Sequence, residues 1–461
     1  MTCKCLWLGL IVALLPLCSL ADDSHYQDYI IGDQAVSLGG AYTAIAADPS
    51  GLWYNPAGIV DVRNTSLSLS ANLYGIQDSS VGSSEAIFPE DPISKLVIVP
   101  SSAGFVQALG RIDHRGQRPF AIGMSIVIPY FRKFSTSEEG TSEDQILGNY
   151  RHGYHRAFED QTLWVGAGGA MRLHDRFSIG VGFVLVHRSV QDAASSFIAT
   201  DFVGGEFNVY RNAMMDLNFS NDSLLLTAGF KWKIVDNLYF GAMIRSPSLT
   251  VYSTGNMRFS RSMADSNGNS GFLPTPEEAA VKSETRINGE ARAGIAWILP
   301  ELLTLSADVS LHMPVSYTLV DIEIEDERAR NALRDALLIS PSVSRGFVIN
   351  VNLGAEVQFL NRFSIGLGAY SNFASSPAIP DSDSIRPTQA HVHMIGGTIA
   401  FGVKSKHTLT RLGFAYARGS GTDVIAHNDD PSQLALDVQD FERINLTQTY
   451  MYFFLASTFM Y

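Results

Sequence analysis

Four basic side chains stand where an anion could meet them. In the alternating stretch from Leu224 to Trp232, the residues Leu224, Leu226, Phe230 and Trp232 share one face, which puts Lys231 on the other. The same parity sets Tyr239, Met243 and Arg245 together, Arg292 opposite Ile295 and Trp297, and Arg411 opposite Leu412 and Phe414. Cations gathered on one face can hold a carboxylate through charge-assisted hydrogen bonds. The alternative is internal pairing with Glu290, Glu356 or carboxylates of the amino-terminal segment. A single β-bulge would reverse every assignment beyond it.

Other chemistries find no constellation. The three cysteines, Cys3, Cys5 and Cys18, fall within the first eighteen residues, so the rest of the chain has no thiol for catalysis or metal binding. His391-Val392-His393 and the pair His152 and His155 come without clustered carboxylates or cysteine, which argues against a metal site. No nucleophile elbow, phosphate-binding loop or HExxH motif occurs. Neither an enzyme nor a bound cofactor is expected, and a net charge of −13 argues against nucleic acid as a partner.

The elements that position these side chains follow from hydropathy. Lys4, the apolar run from Leu6 to Leu17, and small residues before Asp22 describe a secretory signal peptide over residues 1–21, cleaved after Ala21. Beyond it no stretch approaches eighteen consecutive apolar residues, although the chain is 46% hydrophobic and only 17% charged. Spanning helices are thereby excluded, and a closed barrel is the only remaining way through a bilayer.

Thr65 to Tyr74 reads TSLSLSANLY, with Leu67, Leu69, Ala71 and Leu73 on one face and Ser66, Ser68, Ser70 and Asn72 on the other. Similar runs meet at tight polar joints: 110–119, 172–177, 233–238, 299–302, 359–363 and 404–408. Long polar stretches separate these hairpins, at 131–159, 191–221, 249–284, 313–345 and 418–446. Short turns alternating with long loops mark an outer-membrane barrel. Twelve strands from six turns, with a first strand at 65–75 and a last at 447–461, make fourteen. The last strand sets Met451, Phe453, Leu455, Phe459 and Tyr461 on one face and ends on an aromatic residue, a pattern similar to the signal read by the barrel-assembly machinery. The expected fold is all-β: a 14-stranded antiparallel transmembrane β-barrel over residues 65–461, with an N-terminal hatch, or plug, of residues 22–64 inside the lumen.

That hatch segment does not alternate. It carries Gly39-Gly40, Asp48-Pro49-Ser50 and Asn55-Pro56-Ala57-Gly58, pairings suited to short capped turns. GGAYTAIAADPSGLWYNPAG resembles the amino-terminal hatch of the FadL family, the outer-membrane transporters of long-chain fatty acids and aromatic hydrocarbons. Asn55-Pro56-Ala57 matches the hatch motif, and Phe240 to Pro247 is similar to a segment after a hairpin turn in that family. The resemblance implies passive uptake of a hydrophobic small molecule, with outer-membrane lipid as surroundings. It also implies a kinked third strand forming a lateral opening, for which Pro129 is the candidate; ending the strand at the loop is the simpler role. Barrels of protein-secretion systems share the hatch motif, so a scaffold for protein export or surface attachment is the alternative function. Residues 325–338, with Ala329, Ala332, Leu333, Ala336 and Leu337 at helical spacing, are expected to form an amphipathic helix in an outer loop, either lining an access groove or capping the rim.

Overall fold

The structure, a computed structural model, describes residues 25, 29–81, 99–113, 116–144, 148–201, 207–265, 270–272, 278–381, 389–427 and 440–461. The expected signal peptide, residues 1–21, lies outside the described residues. Fourteen strands run antiparallel in chain order: β1 Thr65–Val81, β2 Val99–Leu109, β3 Phe120–Asp144, β4 Gly148–His174, β5 Phe177–Asp201, β6 Phe207–Val235 and β7 Leu238–Arg245, which resumes at Leu249–Asp265. The ring continues through β8 Glu290–Leu299, β9 Leu303–His312, β10 Val348–Phe359, β11 Phe363–Asn372, β12 His391–Lys404, β13 Thr408–His427 and β14 Asp440–Met460. Pairing of β14 back onto β1, from Ser66↔Met460 to Val81↔Leu446, closes the ring of fourteen strands.

Five of the six joints read from the sequence are tight connections, and the sixth, between Leu109 and Phe120, is a ten-residue one; all lie at one end, where residues 65 and 461 also meet through Thr65 N to Tyr461 O, 3.3 Å. The other end is taller. The described residues of 131–159 and 191–221 are strand rather than loop: β3 and β4 pair to Asp144↔Gly148, and β5 and β6 to Asp201↔Phe207. These hairpins exceed what a tilted membrane-spanning strand needs, roughly ten residues, and stand well above the bilayer.

Alternation explains both halves. Near the turns the outward face is apolar, as at Ile122, Met124 and Ile126, or Val181, Phe183 and Leu185, all exposed. Such a continuous girdle is unfavourable in water and is matched by lipid. In β1 the other face shows, with Ser66, Ser68 and Ser70 buried and facing inward. Higher up the sides exchange: Lys133 and Glu159 pair on the outside at 2.5 Å, while Met215, Leu217, Phe219 and Phe259 are buried within. The apolar residues of β6 change from odd to even numbers near Asn221, with no insertion in its pairing to β5 at that level.

Two apolar cores result. The upper one joins Leu217, Phe219, Phe259, Val281 and Ile322 to Leu333 of the loop helix and to Leu337 just after it. That helix spans Glu327–Asp335, shorter than expected at both ends; Asp326 sets its start by accepting from Arg328 N and Ala329 N, and Ala336 closes it. Its buried face is Ala329 and Leu333, so it seals the rim as a lid would. The lower core is built by residues 29–62, which fill the ring. Between the cores, the bidentate pairs Arg188–Asp160 and Arg156–Asp192 tie β4 to β5.

Candidate functional site

The amino-terminal segment forms a short helix Asp33–Ser37, a single turn Gly51–Tyr54 and a 3-10 helix Pro56–Asp61. Ile31, Val36, Leu38, Tyr54 and Ile59 within it are fully or almost fully buried. Its turns are set by the residues singled out above. Gly39 and Gly40 both take positive φ, 61° and 85°, which glycine adopts without strain. Asn55 accepts from Ala57 N at 3.1 Å, and Pro56 occupies the first helical position. The Asn55 amide also donates to Thr43 O (3.0 Å) and to Phe230 O of β6 (2.9 Å), so one side chain caps a helix and fastens it to the wall.

Glycines on the inner face of the barrel admit this segment. A β-carbon on Gly180 would stand 2.5 Å from Ala57 N, one on Gly354 2.5 Å from Leu38 O, and one on Gly366 2.7 Å from Ser37 Cβ. Gly104 faces Pro49, Gly168 faces Leu52, and Gly241 faces Thr43 and Ala44 in the same way. The sequence repeats RFSIGVG (176–182) and RFSIGLG (362–368) are two of these seats: Ser178 donates to Ala57 O at 3.2 Å, and Gly368 packs on Gly39. The segment thus touches the wall backbone to backbone on many strands.

All four basic candidates face the interior, and all four are paired. Lys231 reaches Asp61 at 2.5 Å and lies over the ring of Tyr239, 5.1 Å away. Arg172 holds the other oxygen of Asp61 at 2.7 Å. Burial alone would raise the Asp61 carboxyl, but the two cations beside it hold it below the usual carboxylate range. Arg245 pairs with Glu290, donates to Trp53 O at 2.9 Å, and lies against both Trp53 and Trp164, 4.5 and 4.9 Å from their centroids, the two rings themselves being 4.6 Å apart. Arg292 shares Glu290 at 2.8 Å and covers Tyr54. Arg411 bridges Asp33 (2.9 Å) and Glu356 (2.8 Å). Met243 is fully buried. Arg245 and Arg292 come together with Trp53 and Trp164 around a small cavity of ≈ 60 Å³, whereas Lys231 and Arg411 sit apart from it.

Sequence parity placed these cations inward, and the pairing weighed with it, to Glu290, Glu356 or carboxylates of the amino-terminal segment, is the one the structure has. Asp33, Asp61 and Asp308 carry no local signal, and Asp308 receives Tyr42 N, Thr43 N and Thr43 Oγ1 at 2.6–2.9 Å from 265 residues away. Trp164 was findable, since it shares the inward phase of Asp160 and Thr162.

Pro129 lies inside β3, so it does not end the strand. The pairing of β3 with β4 steps from Val127↔Trp164 to Tyr130↔Thr162, a bulge of one residue containing Ile128 and Pro129. The described pairing of β3 with β2 stops at Ser102↔Val127, two residues before the proline. At the upper end a groove of ≈ 820 Å³ is lined by Tyr317, Leu337, Ile339, Val343 and Ile379, with Arg334 at its side.

No protein-family model and no curated protein sequence matches the chain. Solved structures do match in fold. A FadL homologue of Pseudomonas aeruginosa superposes with a TM-score of 0.61 at 12% identity, covering 95% of this chain and all of that one. The monoaromatic hydrocarbon channel CymD gives 0.56 at 11% identity, covering 94% and 97%. The toluene transporter TodX of Pseudomonas putida gives 0.55 at 12% identity, covering 94% and 99%. The architecture is that of a FadL-type barrel, a closed ring of fourteen antiparallel strands.

Proposed function

We propose that the protein is an outer-membrane channel for passive uptake of hydrophobic molecules, with residues 22–64 as its plug, residues 65–461 as its barrel, and a signal peptide removed after Ala21. The observation that carries this reading is a lipid-matched barrel whose lumen is filled by a tightly seated segment beneath an apolar outer groove. Such a molecule needs no aqueous pore. It enters the groove by transfer of apolar surface, at ~0.8 kcal/mol per buried methylene. Leu337, Ile339 and Ile379 supply the first apolar contacts, and Arg245, Arg292, Tyr239, Met243 and Lys231 stand on the wall the cargo then meets. Its way out is lateral, through the seam where β3 bulges at Pro129 and parts from β2. FadL homologues and the toluene and monoaromatic hydrocarbon channels, whose fold the chain shares, support this class of cargo. Long-chain fatty acids and aromatic hydrocarbons both fit it.

Mass spectrometry of an organic extract from the detergent-purified protein tests the reading. A defined fatty acid or hydrocarbon near one per chain, lost when the plug is deleted, is the expected result. Bulk phospholipid alone, with an exported protein co-purifying, would instead make the barrel a scaffold.

A further inference from the structure

Residues 44–54 of the plug form a stretch whose two ends are fastened to each other and to the wall. Thr43, just before it, donates through N (2.8 Å) and Oγ1 (2.6 Å) to Asp308 of β9. Asn55, just after it, donates through its side-chain amide to Thr43 O (3.0 Å) and to Phe230 O of β6 (2.9 Å). A loop closed at its base in this way is packed by its own groups. Here Ser50 N and Oγ donate to Asp48, Trp53 N donates to Ser50 O (2.9 Å), and Asn55 N to Gly51 O (2.8 Å).

Base and tip lean on different strands and in different ways. The base meets the wall through backbone, with a β-carbon on Gly241 of β7 placed 2.4 Å from Thr43 O. The tip meets β2 and β4 through side chains, Pro49 Cβ at Gly104 and Leu52 Cδ2 at Gly168, each 2.8 Å from such a carbon. Outside the stretch the plug is clamped by charge, Asp33 by Arg411 and Asp61 by Lys231 and Arg172. Asp48 is the one charged residue within it, and among the described residues Asp48 makes no ion pair, its Oδ1 being bound by Ser50. A segment held by side-chain contacts between firm anchors opens at lower cost than the anchors do.

The tip covers the seam. Val127↔Trp164 is the last pair of β3 and β4 before the bulge at Pro129, and the described pairing of β2 with β3 stops at the same Val127. Trp53 lies on Trp164, their centroids 4.6 Å apart, and Val127 packs in the same apolar cluster. Both tryptophans line the cavity beside Arg245 and Val127 does not, so the ring pair stands between cavity and seam. Arg245 keeps Trp53 in place through its carbonyl and its ring.

We propose that residues 44–54 are a flap that swings on Thr43 and Asn55 while the helices on either side stay seated, and that withdrawal of Trp53 from Trp164 joins the cavity to the seam. The inference rests on the uptake reading for its purpose and assigns the moving part, one piece of the plug and not the whole. Arg245 is the positioning residue that latches the flap.

Two measurements on the full-length protein test this. In detergent, backbone amides of 44–54 should exchange with deuterium at least roughly tenfold faster than those of 33–37 and 56–61. Beyond Cys18 the chain has no cysteine, so paired cysteines can pin one part at a time. A β-carbon on Gly104 would lie 2.8 Å from Pro49 Cβ, and one on Gly366 2.7 Å from Ser37 Cβ. Both are about 1 Å short of the usual disulfide separation, so the two cross-links demand the same small adjustment. Oxidised Pro49→Cys/Gly104→Cys should nearly abolish uptake of radiolabelled palmitate and of toluene into vesicles, and dithiothreitol should restore it. Oxidised Ser37→Cys/Gly366→Cys should leave uptake as in its reduced form, with heat-modifiable migration in electrophoresis as the check on folding for both. Uniform exchange across 29–62, a block by both cross-links, or a block by neither would overturn the flap. Fast exchange confined to 44–54 with no uptake even by the unlinked protein would instead remove the uptake reading and leave the flap.

Discussion

The backbone nitrogen of Ala57 lies 2.5 Å from where a β-carbon on Gly180 would stand. Both are backbone positions held on either side, Ala57 by the Asn55 cap and Gly180 by the sheet, so neither yields to a methyl group. Gly180→Ala is therefore expected to unseat the 3-10 helix, lowering stability by about 1–3 kcal/mol as overpacking does. Ion conductance across planar bilayers should rise with it. Gly169→Ala is the control, because its β-carbon would meet its nearest neighbour at an ordinary 3.4 Å. Equal conductance in the two variants would show that the glycine seats do not hold the plug.

Removing Arg411 leaves Asp33 and Glu356 buried without their cation. The expected loss for Arg411→Met is about 3–5 kcal/mol, the usual consequence of stranding a buried charge. Thermal unfolding in detergent, followed by far-ultraviolet circular dichroism, reads it. The triple variant Asp33→Asn/Glu356→Gln/Arg411→Met should recover most of the loss, since no unpaired charge remains.

Asp48 gives the plug a pH dependence. Burial pushes its carboxyl up to about 6, only partly offset by its hydrogen bonds from Ser50 N (2.8 Å) and Ser50 Oγ (2.5 Å). The folded state then binds this proton more tightly than the unfolded chain. Stability contributed by the protonated form is complete below pH ~4 and is lost as pH rises through about 6, by at most about 3 kcal/mol. Protease cutting within residues 29–62 should accordingly be faster at pH 7 than at pH 5. Asp48→Asn should flatten that difference, and an unchanged pH profile in the variant would place the titration elsewhere.

At Pro129 the prediction concerns transport alone. Pro129→Val restores a backbone N–H beside the point where β2 and β3 part, and favours a regular, longer pairing. Uptake of a labelled fatty acid into vesicles should slow while plug stability stays the same. Unaltered uptake would close the lateral route.

Much of the ring was legible, because a lipid-facing strand must alternate and each tight turn must be polar. Strand limits and loop content were less so. Residues 191–221 read as polar loop since their outward side chains meet water, yet Val190, Ala194 and Ile198 keep the two-residue period on the opposite face. A search for apolar residues on one fixed side overlooks a strand that passes from lipid to water. The inward direction of Lys231 and Arg411 was accessible from local phase. Glu356 and the carboxylates of the amino-terminal segment were nameable as partners in kind, but not that Asp61 meets Lys231 and Asp33 meets Arg411, because pairing across 170 and 378 residues leaves no mark in either neighbourhood. The glycine seats were visible only as the repeat RFSIG, whose meaning lay in the segment each copy touches.

Those seats make wall and plug a mould and its casting. Each missing side chain in the sheet is the negative of a particular stretch of the segment inside it: Gly180 of Pro56 and Ala57, Gly354 of Leu38, Gly366 of Ser37. A segment borrowed from another barrel would arrive with its own contour and find these hollows in the wrong places. The two parts can therefore diversify only in concert, whereas the upper loops and helix, which share no such imprint, are free to be exchanged.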